Sequence, residues 1–581
     1  MAMLNSEISK LLDDIADIQE LLGIQWKPRA YRKAAQAVEA LSEAIEDIYK
    51  KGGIKALEDI PGIGEGIAKK IAQFIDTGKI NELEKLKAKI PPGLSTLITI
   101  ESIGPKKAVR LWKELKIKDI SDLKKAISQH KIAKLSGFGP KSEENISAGI
   151  GFFEKSRGRF LLGEVLPVAQ VIISRLKRLQ DVEHISEAGS LRRRKETIGD
   201  LDILATVNKS SAAAKVMTAF TTMPEVARVL AKGTTKSVVV LRNGLQADVR
   251  VIDDAAFGAA LQYFTGNVEH NVALRKIAIE KGYKLSEYGL FGRKSNKIVA
   301  GKTEDDVYKK LGLRYVEPEL RENTGEIEAS RKNKLPKLIQ LKDIKGDFHV
   351  HTKWSDGNSS IEEMVSAARK RGYQYVCISD HSKTRAIAKG LNEERLLKQI
   401  QEIKAVQKKY KDIHLLSGSE VDILADGSLD FSEKILKKLD VVIASAHTGW
   451  KTPEKQMTER IITALENKNL DILGHPTGRI IQQREPFAIN LEQIYDVARE
   501  KKKIVEIDGI PDRLDLRDVD IKAAIEKGVM LCIDSDAHTP DQLKYMEFGI
   551  YNAKRGWAEA KNIINTKSYK ELPKFLPKLR D

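Results

Sequence analysis

Cysteine is nearly missing from this chain. Only Cys377 and Cys532 occur among 581 residues, with no Cys-x-x-Cys, which excludes a disulfide framework and a thiolate zinc site. No run of about 18 or more apolar residues exists, so no membrane-spanning helix is expected. The N-terminus also lacks a basic segment followed by an apolar one, the mark of a secretion signal, and a cytoplasmic location is the expectation. Charge, by contrast, is plentiful: 31% of residues are charged and the net charge is +17. Residues 1–340 hold 58 Lys+Arg against 44 Asp+Glu, whereas residues 341–581 hold 41 against 38. A basic front part suits a polyanionic partner, because neutralising phosphates releases counterions. With 41% hydrophobic content, a chain of this length should build several cores.

Three aspartates in the front part carry a pattern. Residues 199–207 alternate and are rich in Leu, Ile, Thr and Val, which predicts a strand with Asp200 and Asp202 on one face. Residues 236–241 and 245–252 are apolar runs joined by Asn243-Gly244, a strong hairpin signal that should carry Asp248 back beside that strand. Carboxylates so close repel unless a cation lies between them. Oxygen-only ligands suit Mg²⁺ or Mn²⁺, and two such ions roughly 3.5–4 Å apart can stabilise both oxygens of an in-line phosphoryl displacement. Upstream, Gly189 and Ser190 offer backbone N–H groups and a hydroxyl, and Arg192, Arg193 and Arg194 offer guanidinium donors suited to triphosphate oxygens. A nucleoside triphosphate site is predicted.

Tyr263-Phe264-Thr265-Gly266-Asn267, followed by Asn271 and Arg275, narrows the pattern. With the aspartates, it resembles the nucleotidyltransferase superfamily and, within it, the family X DNA polymerases. The resemblance implies that Asp200, Asp202 and Asp248 hold the metals, with Asp248 helping to activate the primer 3′-hydroxyl. It further implies that Gly189, Ser190, Arg193 and Gly199 contact the triphosphate and that Tyr263, Phe264 and Gly266 line the sugar pocket. Asn271 and Arg275 would reach the minor-groove side of the nascent pair.

Residues 5–76 are helical in pattern, with apolar positions three and four apart. Pro61-Gly62-Ile63-Gly64-Glu65-Gly66, running on to Lys69 and Lys70, has the form of a helix-hairpin-helix, whose glycines permit a tight turn with free N–H groups facing a phosphate. A second copy runs through Gly104, Lys106 and Lys107, and a less complete Gly-x-Gly lies at Gly137 and Gly139. Two good copies in a basic segment favour contact with DNA backbone irrespective of sequence. The first domain also resembles the small lyase domain of family X, which implies 5′-phosphate contacts at Lys27 and Tyr31 and places Lys70 at the Schiff-base position. Gly66 stands where that domain has another phosphate-binding lysine.

Beyond residue 342, short apolar strands predicted at 346–352, 375–381, 414–421, 441–447, 470–475, 503–507 and 529–534 alternate with amphipathic helices, as in a parallel, barrel-like domain. Strand ends and the loops after them build the active sites of such barrels. There the sequence puts His349, His351, Asp356, His381, Glu420, His447, His475, Asp536 and His538. Imidazole and carboxylate ligation without thiolates suits two or three ions of Mn²⁺, Zn²⁺ or Fe, which can activate water to cut a phosphoester. The motifs Asp347-Phe348-His349-Val350-His351, Ser379-Asp380-His381, Gly474-His475-Pro476 and Ser535-Asp536-Ala537-His538 resemble the polymerase and histidinol phosphatase (PHP) domain, all nine of whose ligand positions are filled. That resemblance implies Mn²⁺-dependent 3′-to-5′ exonuclease activity and cleavage at damaged ends or abasic sites. Arg479, Arg513 and Asp515 are weaker candidates for holding phosphate, and Asp508 stands where many relatives carry Asn.

The expected fold is multidomain α/β and α+β. It comprises helical segments 1–85 and 86–153 with helix-hairpin-helix turns, a nucleotidyltransferase palm at 154–254 with a mixed or antiparallel sheet, a nucleotide-selecting subdomain at 255–316, a polar linker at 317–341 and a distorted (β/α) barrel of PHP type at 342–581. Expected partners of the monomer are gapped or nicked DNA and deoxynucleoside triphosphates, with no membrane. Two other classes stay open: a nucleotidyltransferase on a non-nucleic acceptor coupled to a small-molecule phosphatase, and a DNA-binding scaffold without catalysis.

Overall fold

The computed structural model describes residues 2–24, 27–39, 41, 45–91, 93–98, 100, 103–156 and 158–580. The chain forms two compact units, one of residues up to 157 with 482–484, the other of the remainder. No described helix is long and apolar enough to cross a membrane.

The first unit is helical. Ile8, Leu12 and Ile15 of helix Ala2–Leu21 pack with Ile67 and Ile71 of helix Glu65–Thr77, and the same core continues through Leu111 of helix Pro105–Leu115 to Ile146 of helix Gly139–Ser156. The segments expected as separate at 85/86 therefore share one interior. Gly62 adopts φ +101°, a turn that a residue with a Cβ rarely adopts, and Gly64 caps helix Glu65–Thr77 from an extended conformation. Gly104 caps the next hairpin helix in the same way, with Pro105 in its first turn. The third turn also forms, with Gly137 and Gly139 at φ +76° and +72°.

In the second unit, the palm is a five-stranded sheet in the order Val182–Glu187, Asp200–Val207, Gln246–Val251, Lys236–Leu241, Val226–Lys232. Leu201, Ile203 and Ala205 pack with Leu162 and Val165 of helix Leu162–Lys177 and Val216 of helix Ala213–Thr221. The period of two then turns Asp200 and Asp202 to the opposite face. The predicted hairpin forms around Gly244, at φ +90°. Its return strand lies parallel to Asp200–Val207, and Asp202 is the register partner of Asp248.

The expected linker at 317–341 is instead packed structure. Arg321 is 0% exposed and donates to Glu304 at 2.6 Å and to the Val316 carbonyl at 2.9 Å. Glu326, at the start of helix Glu326–Arg331, is buried against His270 at 2.6 Å. The segment lacks apolar periodicity because, beside scattered apolar anchors such as Leu320, Ile327 and Leu338, it buries charges neutralised in pairs.

The last domain arranges Gly346–Val350, Tyr375–Ile378, His414–Asp422, Val441–Ser445, Ile472–Leu473, Ile504–Asp508 and Met530–Asp534 as consecutive parallel neighbours. A bridge from Val350 to Ala537 nearly closes the barrel. Its interior is filled by Phe348, Tyr375, Cys377, Ile443 and Cys532, plugged by Leu572 and Leu576. Both cysteines are thus packing residues, and burial pushes their thiols up. Four of the seven strands stop short of the predicted ends, although His381 still bridges to Glu420. His475 and Asp536 adopt φ of 22° and 46°, sparsely populated for residues with a Cβ and held here by the surrounding barrel.

Candidate active sites

At the palm, Asp200 is exposed, Asp202 half-buried and Asp248 buried. Asp248 Oδ2 lies 3.2 Å from Lys236 Nζ and 3.8 Å from Arg250 Nη2, while Oδ1 is buried without a hydrogen-bond partner among the described residues. Burial, with Asp200 and Asp248 nearby, pushes the Asp202 carboxyl up to about 6. An orphaned carboxylate oxygen beside a reluctant carboxylate is the donor chemistry a divalent cation fits. Because the folded pKa is raised from 3.8, this group disfavours the metal-free fold above about pH 6, and the penalty disappears as pH falls below about 4. Chelator-treated Asp202→Asn protein is therefore expected to be more stable than wild type at pH 8 by on the order of 2 kcal/mol, seen as a higher melting temperature, and equally stable at pH 4. Equal melting at both values would contradict the assignment.

Gly189 adopts φ +60°, and a Cβ there would stand 2.5 Å from Asp202 Oδ2, so only glycine lets the turn approach the carboxylate. Ser190 follows in the short turn Gly189–Arg192, and a Cβ on Gly199 would meet Arg159 at 3.2 Å. A cavity of about 500 Å³ is lined by Arg193, Tyr263, Phe264, Gly266, Asn271 and Arg275, among others. Asn271 is fixed by donating to the Tyr263 carbonyl at 2.7 Å and accepting from Gln262 at 2.6 Å. The three arginines expected to face phosphate are instead each paired. Arg192 binds Glu304 at 2.6 Å, Arg193 binds Glu322 at 3.0 Å and Arg194 binds Glu187 at 2.9 Å. Those acidic partners lay outside the motif.

In the first unit, Lys27 and Lys106 are exposed and Lys107 lies 5.8 Å over the Phe138 ring. Tyr31 is buried and donates to Glu82 at 3.4 Å. Lys70 Nζ lies 2.9 Å from Glu82 and donates to the Gly66 carbonyl at 2.8 Å. Burial alone would lower its pKa, but Glu82 and Tyr31 more than offset this and raise it. The Schiff-base position thus carries a firmly protonated ammonium, opposite to the neutral amine a lyase needs.

At the barrel mouth, all nine predicted ligands converge. Glu420 sits among five imidazoles: His381 Nδ1 at 2.6 Å, His475 Nε2 at 2.8 Å, His447 Nε2 at 3.2 Å, His349 Nε2 at 3.6 Å and His351 Nε2 at 3.7 Å. Asp536 lies 3.0 Å from His351, and Asp356 lies 3.3 Å from His538 and 3.5 Å from His381. Three overlapping groups have ligand atoms within 4.8 Å of one another: His351 with Asp356, His381 and His538; His349 with His351 and Asp536; and His381 with Glu420 and His447. Among the described residues, His349 Nε2, His351 Nδ1 and His475 Nδ1 are buried without hydrogen-bond partners, which fits metal ligation. Burial alone would raise the carboxyls of Asp356, Glu420 and Asp536, but the imidazoles hold all three well below the usual range, ionised and ready for cations.

Two orienting residues escaped the sequence reading. Glu506 Oε1 holds His349 Nδ1 at 2.6 Å and Asp422 holds His447 Nδ1, so each imidazole presents Nε2 to the cluster. Their signal was weak: one acidic residue at the end of strand His414–Asp422 and one in the middle of strand Ile504–Asp508. Glu506→Gln is expected to cost about 10–100-fold in Mn²⁺ affinity, measured by calorimetric titration. Unchanged affinity would remove its orienting role. The phosphate-holding candidates need correction. Arg479 donates to Glu196 of the palm and to the Leu514 carbonyl, and Asp515 accepts from Thr477 and Gly478, so both are structural. Arg513 lies 3.6 Å from the buried Asp508.

A family model for the DNA polymerase beta thumb matches residues 260–322, and one for the PHP domain matches residues 347–510. Models of a helix-hairpin-helix domain and a SAM-like helix-hairpin-helix tandem match residues 3–80 and 94–150. Over 577 residues, 99% of this chain and 99% of the relative, the sequence is 38% identical to the DNA polymerase/3′-5′ exonuclease PolX of Bacillus subtilis (strain 168). The chain belongs to the family X DNA polymerases that carry a PHP domain. The PHP domain also resembles free-standing proteins. One is a probable phosphatase of Thermoanaerobacter sp. (strain X514), 32% identical over 232 residues, 38% of this chain and 89% of the relative. Another, from Caldanaerobacter subterraneus subsp. tengcongensis, is 30% identical over 203 residues, 33% of this chain and 75% of the relative. In this family X polymerase the thumb match runs to residue 322, into the segment expected as a linker, which agrees with its burial.

Proposed function

We propose that this family X polymerase fills short gaps in DNA from deoxynucleoside triphosphates and that its PHP domain trims 3′ ends or cleaves at abasic sites. The observation that carries the first half is the register of Asp202 with Asp248 on parallel strands, directly under the Gly189 turn. Asp200, Asp202 and Asp248 would hold Mg²⁺ or Mn²⁺, which neutralise charge on the attacking and leaving oxygens when bound. Asp248 Oδ1, buried and uncommitted, is the acceptor available to the proton of a primer 3′-hydroxyl. Ser190 and Gly189 would meet the triphosphate, Tyr263, Phe264 and Gly266 its sugar, and Asn271 and Arg275 the new base pair. The exposed Gly64, Gly66, Gly104 and Lys106, together with Gly62, Lys27 and Lys107, would contact the phosphates of gapped DNA, with Tyr31 and Lys70 binding its 5′ end in a phosphate-binding rather than a lyase role.

The barrel would hold two or three ions of Mn²⁺, Zn²⁺ or Fe through its nine ligands. The PolX name of the Bacillus subtilis relative includes a 3′-5′ exonuclease, which supports cleavage of DNA rather than of a small phosphoester here. Labelled gapped DNA incubated separately with Mg²⁺ and Mn²⁺, with and without deoxynucleotides, tests both halves. Longer products with deoxynucleotides and shorter ones without them are expected. Failure to extend a gapped primer under any of these conditions would refute the polymerase reading.

A further inference from the structure

The palm and the barrel domain share one apolar interior, in which Leu514 and Phe548 of the barrel pack with Leu162, Leu191 and Leu201. Along this seam the barrel grips the turn that follows Gly189. Arg479 binds Glu196 at 2.7 Å, and the Arg194 guanidinium lies 5.0 Å over the Tyr551 ring. Arg555 Nη1 donates to the Arg193 carbonyl at 2.8 Å and to Glu322 Oε1 at 3.0 Å, while its Nη2 binds Asp518. Glu322 Oε1 is the same oxygen that accepts from Arg193 Nε at 3.0 Å. Glu322 Oε2 accepts from Asn267 Nδ2 at 3.2 Å and lies 4.0 Å from Lys195. The Arg555 side chain is 2% exposed, so water screens these contacts little.

We propose that Arg555 of the barrel domain is a positioning residue for nucleotidyl transfer, holding Glu322 and the Arg193 carbonyl so that Arg193 can exchange Glu322 for an incoming triphosphate. This rests on the reading of Arg193 as a triphosphate contact. Arg193 lines the nucleotide cavity, with its Nε committed to Glu322 and its Nη1 to the Thr265 carbonyl, so a triphosphate that engages the Nε edge of the guanidinium displaces the carboxylate. Releasing Arg193 leaves a largely buried carboxylate, and such a group stays ionised at a tolerable cost only when other cations hold it. Arg555 and Lys195 supply that charge, and Asn267 adds a neutral hydrogen bond to Oε2. Without Arg555, Glu322 has fewer partners and grips Arg193 harder, and the triphosphate competes against a stronger ion pair. The PHP domain thereby conditions the polymerase site without supplying an atom to the reaction.

The test uses the full chain and compares Arg555→Met, Glu322→Gln, the double variant and Arg193→Met. KM and kcat for dATP in single-nucleotide gap filling are measured, with equilibrium dATP binding on gapped DNA in Ca²⁺. Arg555→Met is expected to raise KM and Kd by about tenfold with kcat changed less than about twofold. Glu322→Gln is expected to lower both constants, and the double variant to return to within about twofold of Glu322→Gln. Losses from the two single substitutions that add in the double variant would mark a merely structural role and overturn the proposal. Mn²⁺-dependent cleavage reports folding. Should Arg555→Met misfold, Glu322→Gln decides by itself, since KM that fails to fall refutes the competition. Arg193→Met isolates the underlying reading: unchanged KM there would refute the triphosphate contact, whatever Arg555→Met does.

Discussion

Asp248→Asn is expected to lose primer extension by on the order of 10³-fold, while Mn²⁺-dependent cleavage stays within about twofold of wild type. The substitution is isosteric and keeps the register with Asp202. It removes the negative charge that balances Lys236 and Arg250 and converts Oδ1, buried without a hydrogen-bond partner among the described residues, into part of a neutral amide. A divalent ion would then share fewer anionic ligands, and the 3′-hydroxyl would lose its proton acceptor. Nothing bonded to Asp248 belongs to the barrel. The measurement is single-turnover gap filling beside end-labelled cleavage on one preparation, and a variant that stays folded but loses both activities would contradict separate sites.

The complementary loss is expected for Glu420→Gln: cleavage falls by on the order of 10³-fold and Mg²⁺-dependent extension is retained. Glu420 is 1% exposed and lies between 2.6 and 3.7 Å from five histidines. Its charge is the central anion of the cluster, and an amide in its place offers one neutral oxygen to ions that had a carboxylate. Mn²⁺ titration should show a reduced stoichiometry at the barrel. Full cleavage by Glu420→Gln would show that the cluster is not the nuclease.

The placement of the three palm aspartates and of the nine barrel-mouth residues was legible because both follow from short-range regularities. Alternation put Asp200 and Asp202 on one face, Asn243-Gly244 returned the chain, and repeated strand ends brought His349 through His538 to one mouth. What escaped was charge pairing across long separations. Residues 317–341 read as a solvated linker because Arg321, Glu322 and Glu326 are charged, yet their partners Glu304, Arg193 and His270 lie elsewhere in the chain and bury them. The same cause hid the engagement of Arg192 and Arg193, while Arg194 pairs locally with Glu187 and Lys70 with Glu82. Glu506 and Asp422 were missed because an orienting carboxylate one contact removed from a ligand has no spacing rule of its own.

Anomalous diffraction at the manganese edge, from crystals soaked with Mn²⁺ and a non-hydrolysable deoxynucleotide, tests most directly whether the palm aspartates clamp divalent ions. Density bridged by Asp202 and Asp248 beside the Gly189 turn is expected, together with two or three peaks among the barrel histidines. Barrel peaks alone, with bare carboxylates at 202 and 248 and nucleotide bound, would contradict that expectation.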